Sequence, residues 1–363
     1  MDAGFIEEIK ALGGQTVTRC FQCGSCTATC PFTSEVEAFP RRTIRFVQLG
    51  LRARALGSPD MWLCSPCNLC KLACPREADP SEVMHALTRY ASAKYGWPSF
   101  TRHLTMSPKL AVPVLGMITA ALLASIYFVS RMSSYASSVD FEAFLPTFYV
   151  DTAGIAVGAI AAVGIGINGL RLWRLIDKRS DSLPSYSVRK RIKYMLRILV
   201  QEAAFQRRIR TCNTGRLQWI AHMSIIAGFA GAAVTTTLVF ILGAANSPFP
   251  LDHPVKVLGN ISAGLLVFGG TVAIVRRAFL KRSVGTSSFY DGLFLSLLFS
   301  VAVTGILSEL ARLGDIAILA YPSYSIHLVS AALLLGLAPY TKFAHAIYRP
   351  LAMYLAKLRG WSN

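Results

Sequence analysis

Six stretches of this chain contain no Asp, Glu, Lys or Arg: residues 110–130, 152–170, 217–251, 257–275, 292–308 and 316–341. A helix of roughly 20 apolar residues crosses ~30 Å of hydrocarbon. Inside a bilayer no water is available to the backbone, so an isolated apolar run satisfies its own N–H and C=O groups as a helix. The larger part of the chain is therefore expected to be an all-α bundle. The third run ends in Gly243-Ala-Ala-Asn-Ser-Pro-Phe-Pro250, a turn-rich segment. The sixth carries Tyr321-Pro322, and its helix is expected to start near Ser323 and continue past Lys342, whose long side chain can snorkel. The expected spans are then about 110–130, 152–170, 219–242, 257–275, 292–308 and 323–345.

Charge orients them. The chain holds 37 Lys and Arg against 19 Asp and Glu, a net charge of +18, yet it is only 15% charged and 53% hydrophobic. Soluble domains average nearer a quarter charged residues, and disordered basic tails are far less apolar. Residues 1–109 carry +4 and residues 110–363 carry +14, so the excess sits in the apolar part. Segment 171–216 has 13 Lys and Arg, and further basic residues follow at 276–282 and after 341. The alternate loops 132–150 and 244–254 have none, and 309–321 has only Arg312. Six spans put every basic segment on one side with both termini, and the positive-inside rule makes that side the cytoplasm of a cytoplasmic (inner) membrane. The first 14 residues lack the basic and apolar regions of a secretory signal, and Phe5, Ile9 and Leu12 suit a short amphipathic helix. A nucleic-acid partner is not expected, because the positive charge follows loops and no binding motif accompanies it.

Eight of the nine cysteines lie between residues 20 and 74. They form Cys20-Phe-Gln-Cys23-Gly-Ser-Cys26-Thr-Ala-Thr-Cys30-Pro31 and Cys64-Ser-Pro-Cys67-Asn-Leu-Cys70-Lys-Leu-Ala-Cys74-Pro75. In a reducing cytoplasm, metal ligation is the better expectation than disulfides. Three thiolates at two-residue gaps wrap one face of a cubane, and the fourth, before proline, reaches the other cluster. The spacing predicts Cys20, Cys23, Cys26 and Cys74 on one 4Fe–4S cluster, and Cys64, Cys67, Cys70 and Cys30 on a second. Two four-cysteine zinc sites are the bland alternative, but zinc knuckles usually come as paired C-x2-C. Between the motifs, Arg41, Arg45 and Arg52 share a helical face that would suit an acidic redox partner or simply face water. Residues from Pro80 to Tyr90 suit a helix with proline and acid at its start, on which His85 is expected to be an ordinary packing or surface residue. Cys212 stands alone and is expected to be a free thiol.

Four histidines lie at or near span ends: His222, His253, His327 and His345. Ionisable residues there are costly and often functional. His222 and His345 fall toward the cytoplasm and His253 and His327 toward the outside, which gives two axial pairs for two haems b. His327 and His345 are 18 residues apart. On one continuous helix that is five turns and about 27 Å, the same face in both leaflets, unless Pro339 shifts the phase. His103 is the reserve ligand. Lys256, Asp291, Glu309 and Arg312 border spans, where proton-handling groups and interfacial anchors both occur.

The cysteine motifs, with Pro40-Arg-Arg-Thr-Ile-Arg-Phe-Val-Gln-Leu-Gly50 and Trp62-Leu-Cys64, resemble the C subunit of heterodisulfide reductase. The membrane part resembles the cytochrome b subunits of heterodisulfide reductases and of respiratory nitrate reductases, in which the 18-residue histidine spacing recurs. His222 matches the first haem helix of that pattern; ten residues on, Ala232 stands where the nitrate reductases have a second histidine. The two modules in one chain resemble the C subunit of the quinone-interacting membrane-bound oxidoreductases. That resemblance implies two soluble flavin/Fe–S partner subunits similar to the A subunit of heterodisulfide reductase, adenylylsulfate reductase as electron partner, and menaquinone or another quinone as the membrane carrier.

The sequence thus predicts an α-helical ferredoxin domain with two 4Fe–4S clusters over residues 1–100. A six-helix di-haem cytochrome b bundle is expected over 101–363. The chain would be an electron-transfer subunit rather than a complete enzyme, with the redox chemistry belonging to its cofactors. The rivals are a cytochrome of a heterodisulfide or sulfite-reduction complex and, from another class, a membrane-anchored Fe–S or zinc sensor or scaffold without haem.

Overall fold

The computed structural model describes residues 2–33, 38–65, 67–131, 138–177, 186–206, 216–242, 249–279 and 288–358. Cys212 lies outside them. Helices account for all the regular structure among the described residues.

Six helices are long and apolar enough to cross a membrane: Pro108–Arg131, Thr147–Ile176, Arg216–Leu242, Pro254–Phe279, Phe289–Leu313 and Ala317–Gly336. The chain is a multi-pass membrane protein. The third and fourth spans pack closely, and the fifth lies between the fourth and the sixth. Small residues permit the approach, as is usual where lipid supplies no hydrophobic drive. A Cβ added to Gly269 would stand 2.6 Å from the carbonyl oxygen of Ala221, and one on Gly231 would meet the Ser262 hydroxyl. Near the far end of the bundle, Lys256 of the fourth span and Glu309 of the fifth form an ion pair at 3.1 Å.

The last expected span requires correction. A single helix over 323–345 does not form. The sixth span starts earlier, at Ala317, and carries Pro322 inside it, at the cost of one i→i−4 hydrogen bond. It stops at Gly336. A 3-10 turn over Ala338–Tyr340 contains Pro339, and a new helix runs from Lys342 to Leu358. Pro339 supplies no N–H to continue the ladder, so His327 and His345 sit on two helices rather than five turns apart on one.

The N-terminal region is a set of short helices around one long one. Asp79 caps the Pro80–Tyr95 helix by accepting from the Glu82 amide at 3.0 Å, with proline in the first turn. Asp2 caps Ala3–Ala11 in the same way, and that helix buries Phe5 and Ile9. Asp60, fully buried, accepts from Arg42 and, at 2.6 Å, from Thr43, tying the Arg41–Gln48 helix to the Asp60–Leu63 turn before Cys64.

This region and the membrane part share one core. Phe5, Ile9, Ile44, Trp62, Met84, Leu87 and Tyr90 belong to the same buried cluster as Leu172 and Ile176 from the end of the second span and Tyr348, Ala352 and Leu355 from the C-terminal helix. Polar ties cross the same seam. The Trp97 amide donates to Asn168 at 2.9 Å, the Tyr340 hydroxyl donates to the Trp97 carbonyl at 2.6 Å, and Arg171 donates to the carbonyls of Tyr95 and Gly96. The C-terminal helix therefore joins the two parts rather than crossing the membrane.

Candidate redox site

The two cysteine motifs fold alike. In each, a residue between the second and third cysteines has left-handed backbone, Gly24 with φ 90° and Asn68 with φ 57°. Glycine and asparagine are the residues that tolerate this, and each starts a short helix, Ser25–Thr29 or Leu69–Leu72. The backbone thus curls so that three thiols of one motif face a common space. Asn68 is held there by the Ser81 hydroxyl, which donates to its side-chain oxygen at 2.7 Å.

The thiols group across the motifs. One pocket is lined by Cys20, Cys23, Cys26 and Cys74, with Arg41 and Arg76 at its edge. The other four are electrostatic neighbours: Cys64 feels Cys70, Cys30 and Cys67, and Cys70 feels Cys67 and Cys30. Burial pushes the Cys64 thiol well up and the Cys70 thiol to about 12, and the neighbouring thiols push the same way. Four thiolates that repel one another, Cys70 buried and the other three partly buried, require positive charge among them, which iron would supply. Among the described residues, no three His, Cys, Asp or Glu side chains gather as they would around a single metal.

The two quartets differ in exposure. Cys23 is exposed, and Phe21 beside it is 67% exposed. Their quartet adjoins a cleft lined by Arg41, Arg42 and Arg45. Arg52, expected on the same basic face, instead turns inward to Asp2 and Glu8, each at 2.7 Å. The Cys64 quartet faces the membrane part. The Arg349 guanidinium of the C-terminal helix donates to Ser65 at 2.6 Å, and the Trp62 ring lies 6.2 Å from the His345 ring and 5.7 Å from Tyr348.

His345 and His222 are electrostatic neighbours, on the C-terminal helix and the third span, with Arg349 and Lys342 acting on both. The structure adds a third histidine. His85, on the Pro80–Tyr95 helix, also acts on His345. Burial and the Lys342 and Arg89 cations push its imidazole down to about 4, so it is neutral. Asp291, 7% exposed, pairs with Lys342 at 3.0 Å and lies 3.9 Å from Arg89. Its position is fixed by its own capping box with Ser288 at the start of the fifth span. Lys342 and Arg89 around one carboxylate, with the Arg349 guanidinium also acting on both histidines, leave an excess of positive charge there, a setting for the propionates of a haem.

The other expected pair, His253 and His327, have partners of their own. His327 is held by the fifth span, its Nδ1 2.9 Å from the Val301 carbonyl oxygen, with its ring over Gly305. A carbonyl only accepts, so the proton is on Nδ1 and the Nε2 lone pair is open, the usual state of a metal-binding imidazole. His253 instead stacks on Phe249 at 4.4 Å and accepts the Val255 amide at 3.3 Å. It starts the fourth span, which the fifth separates from the sixth. His103 is exposed on the short Thr101–Met106 helix. Sequence reasoning missed Trp62, His85, Arg89 and Arg349. The only signal for the middle two was their i,i+4 spacing on one helix face.

Comparison with known proteins finds likenesses for both parts of the chain. Residues 16–78 match the 4Fe-4S dicluster domain model. The chain is 37% identical over 97 residues to the C subunit of the H(2):CoB-CoM heterodisulfide,ferredoxin reductase of Methanothermobacter marburgensis, covering 27% of this chain and 52% of that protein. It is 29% identical over 180 residues to the E subunit of the dihydromethanophenazine:CoB--CoM heterodisulfide reductase of Methanosarcina thermophila, covering 46% of this chain and 67% of that protein. One polypeptide joins a part like the C subunit to a part like the E subunit. An Archaeoglobus profundus protein, itself described as like the heterodisulfide reductase C subunit, is 39% identical over 90 residues, 24% of this chain and 48% of that protein. The chain spans about half the length of the C-subunit relatives it matches. No solved structure matches it. Iron–sulfur electron transfer at a membrane is the activity these likenesses support.

Proposed function

We propose that the chain carries electrons between a membrane quinol and soluble flavin/Fe–S subunits on the cytoplasmic side, and that it divides near residue 100 into a two-cluster part and a cytochrome b part. The observation that carries this reading is the continuous placement of donors. The His222/His345 pair meets the Cys64 quartet across Trp62 and Arg349, and the Cys20 quartet opens on the surface. Cys20, Cys23, Cys26 and Cys74 would hold one 4Fe–4S cluster, and Cys64, Cys67, Cys70 and Cys30 the second. His222 and His345 would hold a haem b, with Lys342 and Arg89 receiving its propionates. These groups supply one-electron chemistry; the protein's residues hold them, exclude water and set the charge around them. His327 has the tautomer of a second haem's ligand, with His253 as the partner imidazole expected for it.

The E-subunit relatives carry dihydromethanophenazine in their name; a quinol, menaquinol by the resemblance of the whole chain, would take that place here. The exposed basic cleft around Arg41 and Arg45 suits an acidic partner surface, steering its encounter. Soluble subunits similar to the A subunit of heterodisulfide reductase, working with adenylylsulfate reductase, would present it. The test is reduction by a quinol analogue of the purified protein in vesicles. The expected result is a reduced b-type band followed by cluster reduction. A protein that binds zinc instead of iron, or shows no b-type band, would refute the reading.

A further inference from the structure

The indole of Trp62 is 1% exposed, and its Nε1–H has no hydrogen-bond partner among the described residues. Such a donor, buried without an acceptor, costs about 1–3 kcal/mol and is uncommon in native structures. The ring faces His345 on one side and Tyr348 edge-on, and its chain neighbours lead to Cys64 two residues on. Trp62 sits at the end of the Asp60–Leu63 turn, which the Arg42–Asp60–Thr43 network fixes in place. The position is therefore rigid, and the missing acceptor is one that arrives with a bound group.

We propose that Trp62 is a positioning residue for the Cys30/Cys64/Cys67/Cys70 cluster, its Nε1–H donating to a cluster sulfur, and that this junction with Arg349 is where electrons cross between the His222/His345 haem and the clusters. The cluster of Cys64 is then the proximal one and the cluster of Cys20 the distal one. Each crossing moves one electron, the haem iron being oxidised as the cluster is reduced, with no bond made or broken. A hydrogen bond to a cluster sulfur stabilises the reduced, more negative cluster and raises its potential. Arg349, tied to Ser65 and acting on Cys64, His222 and His345, biases both sides of the crossing in the same direction. The inference rests on the cluster and haem assignment above.

The test is a redox titration of the full-length protein with W62F, followed by EPR for the clusters and visible absorption for the haem. The expected result is a tenfold shift of the haem–cluster electron distribution away from one cluster, about 59 mV in its midpoint. The second cluster and the haem should hold their values. Y95F removes another buried aromatic polar group, one that already donates to Leu56, and should move no potential. A variant unable to hold its clusters is bypassed by the wild type grown with 15N-indole tryptophan. Trp62 is the only tryptophan in the first 96 residues. Pulsed EPR should show 15N coupling to one reduced cluster and none to the other. No coupling, or a W62F shift confined to the haem or to the cluster lost in C23S, overturns the proposal. Loss of iron or haem from the wild type itself would instead refute the underlying assignment.

Discussion

Acid should loosen the junction between the two parts of this protein through His85. Its imidazole titrates at about 4 in the folded protein, depressed by burial and by the Lys342 and Arg89 cations, with Asp291 and Asp79 opposing. An ordinary imidazole titrates near 6.5. The folded value lies below the unfolded one, so the unfolded chain binds the extra proton first as pH falls. Stability is complete above about pH 6.5 and is lost toward pH 4. The full loss integrates to about 3 kcal/mol, of which about 2 kcal/mol is gone by pH 5. The perturbation is His85→Gln, which cannot take the proton. Denaturant midpoints of the N-terminal part, followed by its cluster absorption in detergent, should be measured for both proteins from pH 7.5 to pH 5. Carboxylate titrations common to both cancel in the difference. The wild type should lose about 2 kcal/mol relative to the variant over that interval. Parallel pH profiles would refute the burial and charge assigned to His85.

Crossed ligation makes a distinctive prediction for the cysteines. Cys74→Ser should abolish the EPR signal of the cluster built on Cys20, Cys23 and Cys26, and Cys30→Ser the signal of the other; loss within the same motif would contradict the pocket. His222→Ala or His345→Ala should remove one haem b per chain from the pyridine haemochrome spectrum. Asp60→Ala strands the Arg42 guanidinium, which is 30% exposed, and should cost about 2–3 kcal/mol, less than a fully buried pair, by denaturant unfolding. Gly269→Val would drive a side chain into the Ala221 carbonyl and should lower the thermal midpoint of the detergent-solubilised protein.

Much of this architecture was legible because its causes are local. A charge-free run long enough to span can only be helical, so the first five spans were fixed within a few residues by composition. The cysteine motifs carry their own backbone signal, since Gly24 and Asn68 occupy equivalent left-handed positions. What escaped was tertiary. Pro322 and Pro339 are the same residue type, yet the first sits inside a helix near its start and the second ends one; only position relative to the ladder separates them. The C-terminal helix looked like membrane because Lys342 could snorkel, whereas the fold uses Lys342 to pair with Asp291, 51 positions earlier. His85 read as an ordinary packing or surface residue, and Trp62 only as part of a family resemblance; the last helix, laid against them, gives both their setting. No periodicity announces a side chain whose role depends on a segment 250 residues away.

The most direct test of the account counts the cofactors in the order proposed for them. A redox titration of the purified protein, followed together by EPR and visible spectroscopy, should show two distinct 4Fe–4S signals and a b-type α-band. The cluster signal lost in Cys30→Ser should be the one magnetically coupled to the haem. Coupling of the haem to the Cys20 cluster instead, or a titration with no b-type band, would contradict the path from the membrane histidines through Trp62 to the Cys64 quartet.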